Sequence, residues 1–287
     1  QEWTWTSRFP QQPEILSYLE HVADRFDLRS AFRFDTRVTG AHYDAASNSW
    51  LVSDEHGQRI AARFLITAVG CLSAAQVPNI AGRDDFTGPW YHTGEWPHEK
   101  VDFRRKRVGV IGTGSSGIQA IPVIAKEAEH LTVFQRTPNF SVPARNRKLS
   151  EEQVREVKRD IKQIREFCRW STIGQPYDFK SEEALKVSPE QREQQFEADW
   201  EKGGFEWMCG SYSDLVFEKE ANDLAADFVR EKISKVIEDP TLAAKLIPTD
   251  YPIATKRLPL DNGYFETYNR DNVSLVDLRE TPIDRIV

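Results

Sequence analysis

The chain has few cysteines and no cysteine pair: Cys71, Cys168 and Cys209 stand far apart, with no C-x-x-C among them. That spacing excludes a dithiol redox centre, argues against a disulfide scaffold and fits a reducing cytosol. No apolar run approaches the roughly 20 residues of a membrane span. Basic residues are not in excess either: the net charge is -7, which argues against a nucleic-acid partner. Low-complexity stretches and short-period repeats are absent, which leaves solenoids and disordered linkers aside. The start, Gln1-Glu2-Trp3-Thr4-Trp5, lacks an initiator methionine and a signal-peptide pattern, and reads as the interior of a longer protein. What the chain does have is an ordinary globular balance, 39% hydrophobic and 29% charged over 287 residues, enough for about two domains. Eight tryptophans and sixteen phenylalanines supply area for a core or for a flat aromatic ligand.

Residues 13–26 carry Ile15, Leu16, Leu19, Val22 and Phe26 at helical spacing, with Pro13 near the first turn. A β-like region follows. Phe32, Phe34, Thr36 and Val38 alternate, as do Trp50 and Val52; His56-Gly57 makes a turn, and Ile60 to Val69 reads as an apolar strand that ends at Gly70. Any hairpin unit returning to a sheet would look the same. Residues 106–136 form a βαβ unit: a strand over 107–111, a glycine loop, a helix lined by Ile118, Ile121, Ile124 and Ala125, and a strand over 131–134. Residues 150–247 are charged and helical, with one apolar face on Val154, Val157, Ile161 and Ile164 and another on Leu224, Phe228, Val229, Ile233 and Val236; Asp239-Pro240 interrupts the pattern. After Pro248 the chain turns irregular, and Val273 to Val276 is a short strand.

The glycine loop is Gly112-Thr113-Gly114-Ser115-Ser116-Gly117. In G-x-G-x-x-G the first glycine turns sharply, the second admits a pyrophosphate and the third lets helix and strand approach. The helix start then offers free N–H groups to the phosphates. A ligand-free glycine turn is the competing reading, and the strand–loop–helix–strand context disfavours it. An acid about 20 residues on would bind the ribose of NAD. The sequence there is Val133-Phe134-Gln135-Arg136-Thr137, without an acid. Arg136 suits the additional 2′-phosphate of NADP, and Thr137 adds a hydroxyl. NADP is therefore expected over NAD, the alternative being an arginine solvated at a strand end.

Two further segments carry a resemblance. Residues 86–97 read Phe86-Thr-Gly88-Pro-Trp-Tyr-His92-Thr-Gly-Glu-Trp96-Pro97, with no second histidine or acid at metal-ligand spacing, so no metal is expected. Ala254-Thr255-Lys256-Arg257 precedes Leu258 to Val273, and on spacing alone its two cations are a solvated face. Phe86, Gly88, His92, Trp96 and Pro97 match each fixed position of F-x-G-x-x-x-H-x-x-x-W-P. With the glycine loop and the 255–273 stretch, the chain resembles the Baeyer–Villiger monooxygenases, the cyclohexanone and phenylacetone monooxygenase group.

The resemblance implies an α/β, two-dinucleotide-binding-domain flavoprotein that uses FAD, NADPH and dioxygen to turn a ketone into an ester or lactone by way of a flavin C4a-peroxide. It implies the remainder of an FAD domain over 1–73, an interdomain linker over 74–105, a Rossmann-like NADP domain over 106–149 and 248–287, and a helical insertion over 150–247. Arg257 then corresponds to the catalytic arginine and Lys256 to a lysine near the NADP 2′-phosphate. Gly70 belongs to the cofactor-binding residues, and the segment with His92 couples domain movement. A permanent cation suits the reaction because it stabilises an anionic oxidant and the charge of the ketone adduct. The family's N-terminal FAD loop and its long C-terminal continuation are not in this sequence. The expectation is a central fragment with an incomplete FAD domain, inactive alone and cytoplasmic. Three other readings compete: a flavin-containing N- or S-oxygenase, a non-catalytic NADP-binding module, and a pyridine-nucleotide disulfide reductase, the last needing a cysteine pair. Trp96-Pro97 favours the Baeyer–Villiger branch.

Overall fold

The computed structural model describes residues 2–287. It divides into two compact units, Pro10–Val77 and residues 2–9 with Pro78–Val287. Gln1, where the expected FAD-domain remainder begins, lies outside the described residues.

In the smaller unit, Pro13 sits in the first turn of α1 (Gln12–Arg25), where a missing N–H is harmless, and Arg25 lies in the last turn, where a cation suits the helix dipole. The apolar stripe of α1 is only partly covered, and Leu19 is 56% exposed. An antiparallel meander follows: β1 (Val38–Asp44), β2 (Ser49–Asp54) and β3 (Arg59–Ala62), in that order. Each turn is held by an aspartate. Asp44 accepts from the Ala46 N–H (3.0 Å) and the Ser47 hydroxyl (2.6 Å). Asp54 accepts from the His56 and Gln58 N–H groups at 2.9 and 2.8 Å, with Gly57 left-handed as the His56-Gly57 turn requires.

Two strand expectations in this unit are overturned. Phe32 and Phe34 lie ahead of β1 and stack on each other at 5.7 Å, because Asp35 is left-handed (φ 51°) and an extended strand cannot run through it. The strand expected over Ile60 to Val69 stops at Ala62. Beyond it no strand pairs with the chain among the described residues, and Ile66 is 87% exposed. Apolar sequence alone makes no strand where the ladder has no neighbour.

The larger unit opens with β4 (Arg107–Ile111), α2 (Ser115–Glu127) and β5 (His130–Gln135). After β5 come β6 (Val142–Pro143), α3 (Glu151–Trp170), α4 (Pro189–Lys202), α5 (Glu206–Gly210), α6 (Lys219–Val236), α7 (Pro240–Leu246), β7 (Leu260–Asp261) and β8 (Val273–Asp277). The parallel sheet has the order β4-β5-β8, and β6 pairs in parallel with β7. Ile118, Ile121 and Ala125 of α2 are buried together with Leu131 and Val133 of β5, which glues helix to sheet as the βαβ pattern demands.

The helices between the strands start where their caps stand. Ser150 and Gln153 cap α3 reciprocally, and Ser188 and Gln191 do the same for α4. Asp239 caps α7 with Pro240 in its first turn, so the Asp239-Pro240 interruption starts a new helix. Phe196, Trp207 and Phe228 form the aromatic centre: the last two rings stack at 5.6 Å, and the Trp207 indole N–H reaches the Phe196 carbonyl at 3.2 Å. Asp199 is buried beside them. Burial alone would raise its carboxyl, yet Lys202 (2.8 Å), Ser211 (2.7 Å) and Gln195 (2.6 Å) hold it below its usual value. By contrast α3 buries no residue; its Val157 side remains largely open. A short N-terminal arm closes the unit. Ser7 bridges to Lys148, the Arg8 N–H donates to the Arg147 carbonyl (2.9 Å), and the Arg8 guanidinium donates to the Lys202 carbonyl and to that of Gly203 (3.0 Å).

Candidate cofactor-binding site

The glycine loop joins β4 to α2, and each glycine has a distinct physical reason. Gly112 turns the chain at φ +101°, a conformation L side chains rarely adopt. Gly114 has an ordinary φ of −78°, and a Cβ there would meet no atom within 4 Å. At Gly117 a Cβ would fall on the Gly112 carbonyl oxygen, so only glycine lets α2 close on the loop. No side chain caps α2, which leaves the first-turn N–H groups of Ser115, Ser116 and Gly117 directed at the space beside Gly114. The loop is tied to the next strand twice: the Gly112 N–H donates to the Phe134 carbonyl (2.9 Å), and the buried Thr113 hydroxyl donates to the Thr137 carbonyl (3.1 Å).

These glycines give a paired expectation. Gly114→Ala should leave thermal stability within about 0.5 kcal/mol and weaken NADPH binding roughly tenfold, since a methyl group would occupy the phosphate approach. Gly117→Ala should cost about 1–3 kcal/mol of stability as well. Thermal denaturation and NADPH titration of the same samples check this; equal stability losses in both variants would contradict the division of labour.

Arg136 emerges at the end of β5, exposed and without a hydrogen-bond or ion-pair partner among the described residues. Thr137 next to it is half-buried through the Thr113 bond. Lys256 lies on the loop before β7, its ammonium 4.0 Å above the Tyr251 ring. The Tyr251 hydroxyl lies 3.0 Å from both the Pro138 carbonyl and Asn139 Oδ1, so this loop meets the stretch that leaves β5 just after Arg136 and Thr137. Tyr251 thus links Lys256 to the stretch that follows Arg136 and Thr137, and the Thr113 bond links Thr137 to the glycine loop. The acid that ends the neighbouring strand β8, Asp277, is engaged by the Arg279 N–H at 2.9 Å and by its guanidinium. Sequence reasoning missed Tyr251 and Asn139; a tyrosine five residues before a lysine carries no signal in one dimension.

Arg257 is exposed and unpaired among the described residues, with Leu258 and Pro259 buried behind it. Downstream, the buried Asp261 anchors the segment. It accepts from the Ser141 hydroxyl (2.5 Å) and the Gly263 N–H (3.1 Å), and burial pushes its carboxyl up despite these bonds. Among the described residues no hydrogen bond, ion pair or ring contact ties Arg257 to the glycine loop. Gly70 belongs to the smaller unit, left-handed at φ +74°.

The segment 86–97 is built by its own side chains. Gly88 lies under the Phe86 ring, where a Cβ would come within 2.6 Å of a ring carbon. His92 caps the 3₁₀ turn Thr93–Glu95: its Nδ1 accepts from the Gly94 N–H at 3.0 Å, which leaves the Nε2–H facing away. Trp96 packs between Tyr91 (5.6 Å) and Phe103 (6.2 Å), and Pro97 is half-buried. Among the described residues no three His, Cys, Asp or Glu side chains form a metal-holding group, and no helix is long and apolar enough to cross a membrane.

Residues 1–175 match the family described as pyridine nucleotide-disulphide oxidoreductase. The chain is 44% identical to a Baeyer–Villiger monooxygenase of Pseudooceanicola batsensis, over 97% of this chain and 51% of that protein. It is also 44% identical to a phenazine N-monooxygenase of Lysobacter antibioticus, over 99% of this chain and 52% of the other. The crystal structure of OTEMO in complex with FAD and NADP superimposes with a TM-score of 0.96 at 41% identity, covering all of this chain (100%) and 55% of that one. The chain spans about half the length of the relatives it matches, and the mixed α/β architecture is that of two-dinucleotide-domain flavoproteins. It belongs to the pyridine nucleotide-disulphide oxidoreductase family, and within that family its kinship is with the Baeyer–Villiger monooxygenases.

Proposed function

We propose that this chain is the NADP-binding part of an NADPH- and dioxygen-dependent flavin monooxygenase that inserts oxygen beside a ketone carbonyl, giving an ester or lactone. The observation that carries the reading is an uncapped helix start beside an open glycine, with an unpaired arginine in place of a ribose-binding acid at the next strand end. In this assignment Gly112, Thr113, Gly114, Ser115, Ser116 and Gly117 receive the pyrophosphate through backbone N–H groups. Arg136, Thr137 and Lys256 receive the 2′-phosphate. Arg257 supplies a permanent cation where negative charge develops on the carbonyl oxygen. Phe86, Gly88, His92, Trp96 and Pro97 form the self-braced segment that couples the domains, and Gly70 marks the end of the flavin-domain portion.

FAD, when bound, supplies the redox chemistry with dioxygen. Only one glycine loop lies in this chain, and its surroundings carry the NADP features, so the FAD assignment rests on kinship. The domain division that accompanies this reading is FAD-domain remainder over 1–73, linker over 74–105, NADP domain over 106–149 and 248–287, and helical insertion over 150–247. Three free, widely spaced cysteines support a cytoplasmic setting and offer no dithiol for disulphide reduction. The acidic net charge of -7 supports a small-molecule partner over a nucleic acid.

One relative at 44% identity is a phenazine N-monooxygenase, and oxygen transfer to nitrogen is the alternative to be tested against the main reading. Product analysis separates the two. With the chain joined to the remaining segments of a relative, NADPH-dependent conversion of cyclic ketones to lactones supports the first reading. N-oxides from aromatic amines without any ester support the second.

A further inference from the structure

We propose that Tyr251 is the positioning residue that joins the two cations of the nucleotide site, holding Lys256 against the β5 exit and so setting the preference for a 2′-phosphorylated nucleotide; this rests on the subsite assigned above to Arg136 and Lys256.

Tyr251 is gripped on three sides. Its hydroxyl lies 3.0 Å from the Pro138 carbonyl and 3.0 Å from Asn139 Oδ1. Its ring meets the Phe140 ring edge to face at 5.5 Å and 80°. Its open face carries the Lys256 ammonium at 4.0 Å. Pro138, Asn139 and Phe140 directly follow Arg136 and Thr137, so the phenol is fastened to the stretch that presents Arg136. Phe140 is itself backed by the Arg230 guanidinium, 5.6 Å from the ring centroid, and Arg230 is held by Asp227 (2.7 Å) and the Pro248 carbonyl (2.8 Å). The row Arg230, Phe140, Tyr251, Lys256 is thus anchored at its inner end and open at its outer end.

The chemistry of the grip matters. An exposed lysine is normally fixed by a carboxylate, which cancels its charge. A ring face attracts the ammonium through its quadrupole, leaves the full positive charge in place and keeps N–H donors free for an incoming anion. It also removes rotamer freedom before binding, so less is lost when a phosphate arrives. Half-burial pushes the Tyr251 phenol above its ordinary value, so the hydroxyl keeps its proton and donates it to Pro138 or Asn139. No carboxylate contacts Lys256 among the described residues, so the ring is the group that sets its position.

The test uses the 287-residue chain and isothermal titration with two probes, adenosine 2′,5′-bisphosphate and 5′-AMP. Wild type is expected to prefer the bisphosphate. Tyr251→Leu should lose about tenfold of that preference with 5′-AMP binding unchanged. Tyr251→Phe keeps the ring and should hold the ratio within about threefold. A leucine variant with the wild-type ratio, or one that weakens both probes in parallel, would overturn the proposal, since a merely structural tyrosine affects both alike. If the leucine variant does not fold, the phenylalanine variant decides: loss of the ratio there means that the ring does not hold Lys256. Should wild type bind both probes equally, the subsite assignment falls first and Tyr251 with it; an Arg136→Ala variant that loses the ratio while Tyr251→Leu keeps it sinks the tyrosine proposal alone.

Discussion

Ester formation should fall roughly 10²- to 10³-fold when Arg257 is replaced by alanine, while NADPH affinity stays within about twofold. The expectation follows from position and chemistry together. Arg257 is exposed and unpaired among the described residues, so its charge is not spent on a structural carboxylate. Leu258 and Pro259, both buried, fix the backbone behind it. A cation poised where charge develops acts on the transition state more than on the ground state, so the loss should appear in turnover and not in nucleotide binding. Arg257→Lys sharpens the test: an ammonium restores charge but not the planar fork, and partial rescue is expected. The assay is gas-chromatographic analysis of lactone formed from a cyclic ketone by the chain joined to a relative's remaining segments. An alanine variant with unchanged product would remove Arg257 from the chemistry.

Arg136→Ala should weaken NADPH binding by about 10- to 150-fold, the equivalent of roughly 1.5–3 kcal/mol for hydrogen bonds to a charged group. NADH binding should barely change. The guanidinium stands at the end of β5 with no internal partner to lose, so its removal costs the fold little and the ligand much. The wild-type preference should also shrink as salt is raised, because an exposed cation acts through a screened field. Fluorescence titration with both nucleotides at two ionic strengths reads this directly. Parallel losses for NADPH and NADH would mean that Arg136 shapes the loop and does not recognise the phosphate.

The βαβ unit was legible because each of its signals is local. Gly112 needs its positive φ, Gly117 needs its missing Cβ, and Ile118, Ile121 and Ala125 recur at helical spacing and are buried. The caps at Ser150 and Asp239 are equally local. Expectations failed where the side-chain pattern did not report the backbone conformation or the presence of a neighbouring strand. Phe32 and Phe34 alternate like a strand, yet the left-handed Asp35 ends the extension before β1. Residues 63–69 are apolar like a buried strand, yet no neighbour supplies the ladder. In the proposed site, Arg136 and Thr137 are suggested by the strand end, and Lys256 only by resemblance. Tyr251 could not be read at all: its partners Pro138 and Asn139 lie 113 and 112 residues away, and a ring under an ammonium leaves no periodic trace.

The N-terminal arm carries a consequence for the order in which the protein acquires its structure. Arg8 donates to the Gly203 carbonyl across 195 residues, and everything between them, including the whole smaller unit, is the loop that this contact closes. Closure of a loop that long is entropically slow to repay, although each doubling of length adds only about 0.6 kcal/mol. During synthesis the arm is made before α4, the most distant of its partners in sequence, and must wait for it. The arm therefore cannot dock before α4 has formed. Hydrogen exchange at the Arg8 N–H, which pairs with Arg147, should report this long-range closure, whereas exchange within the βαβ core reports local structure.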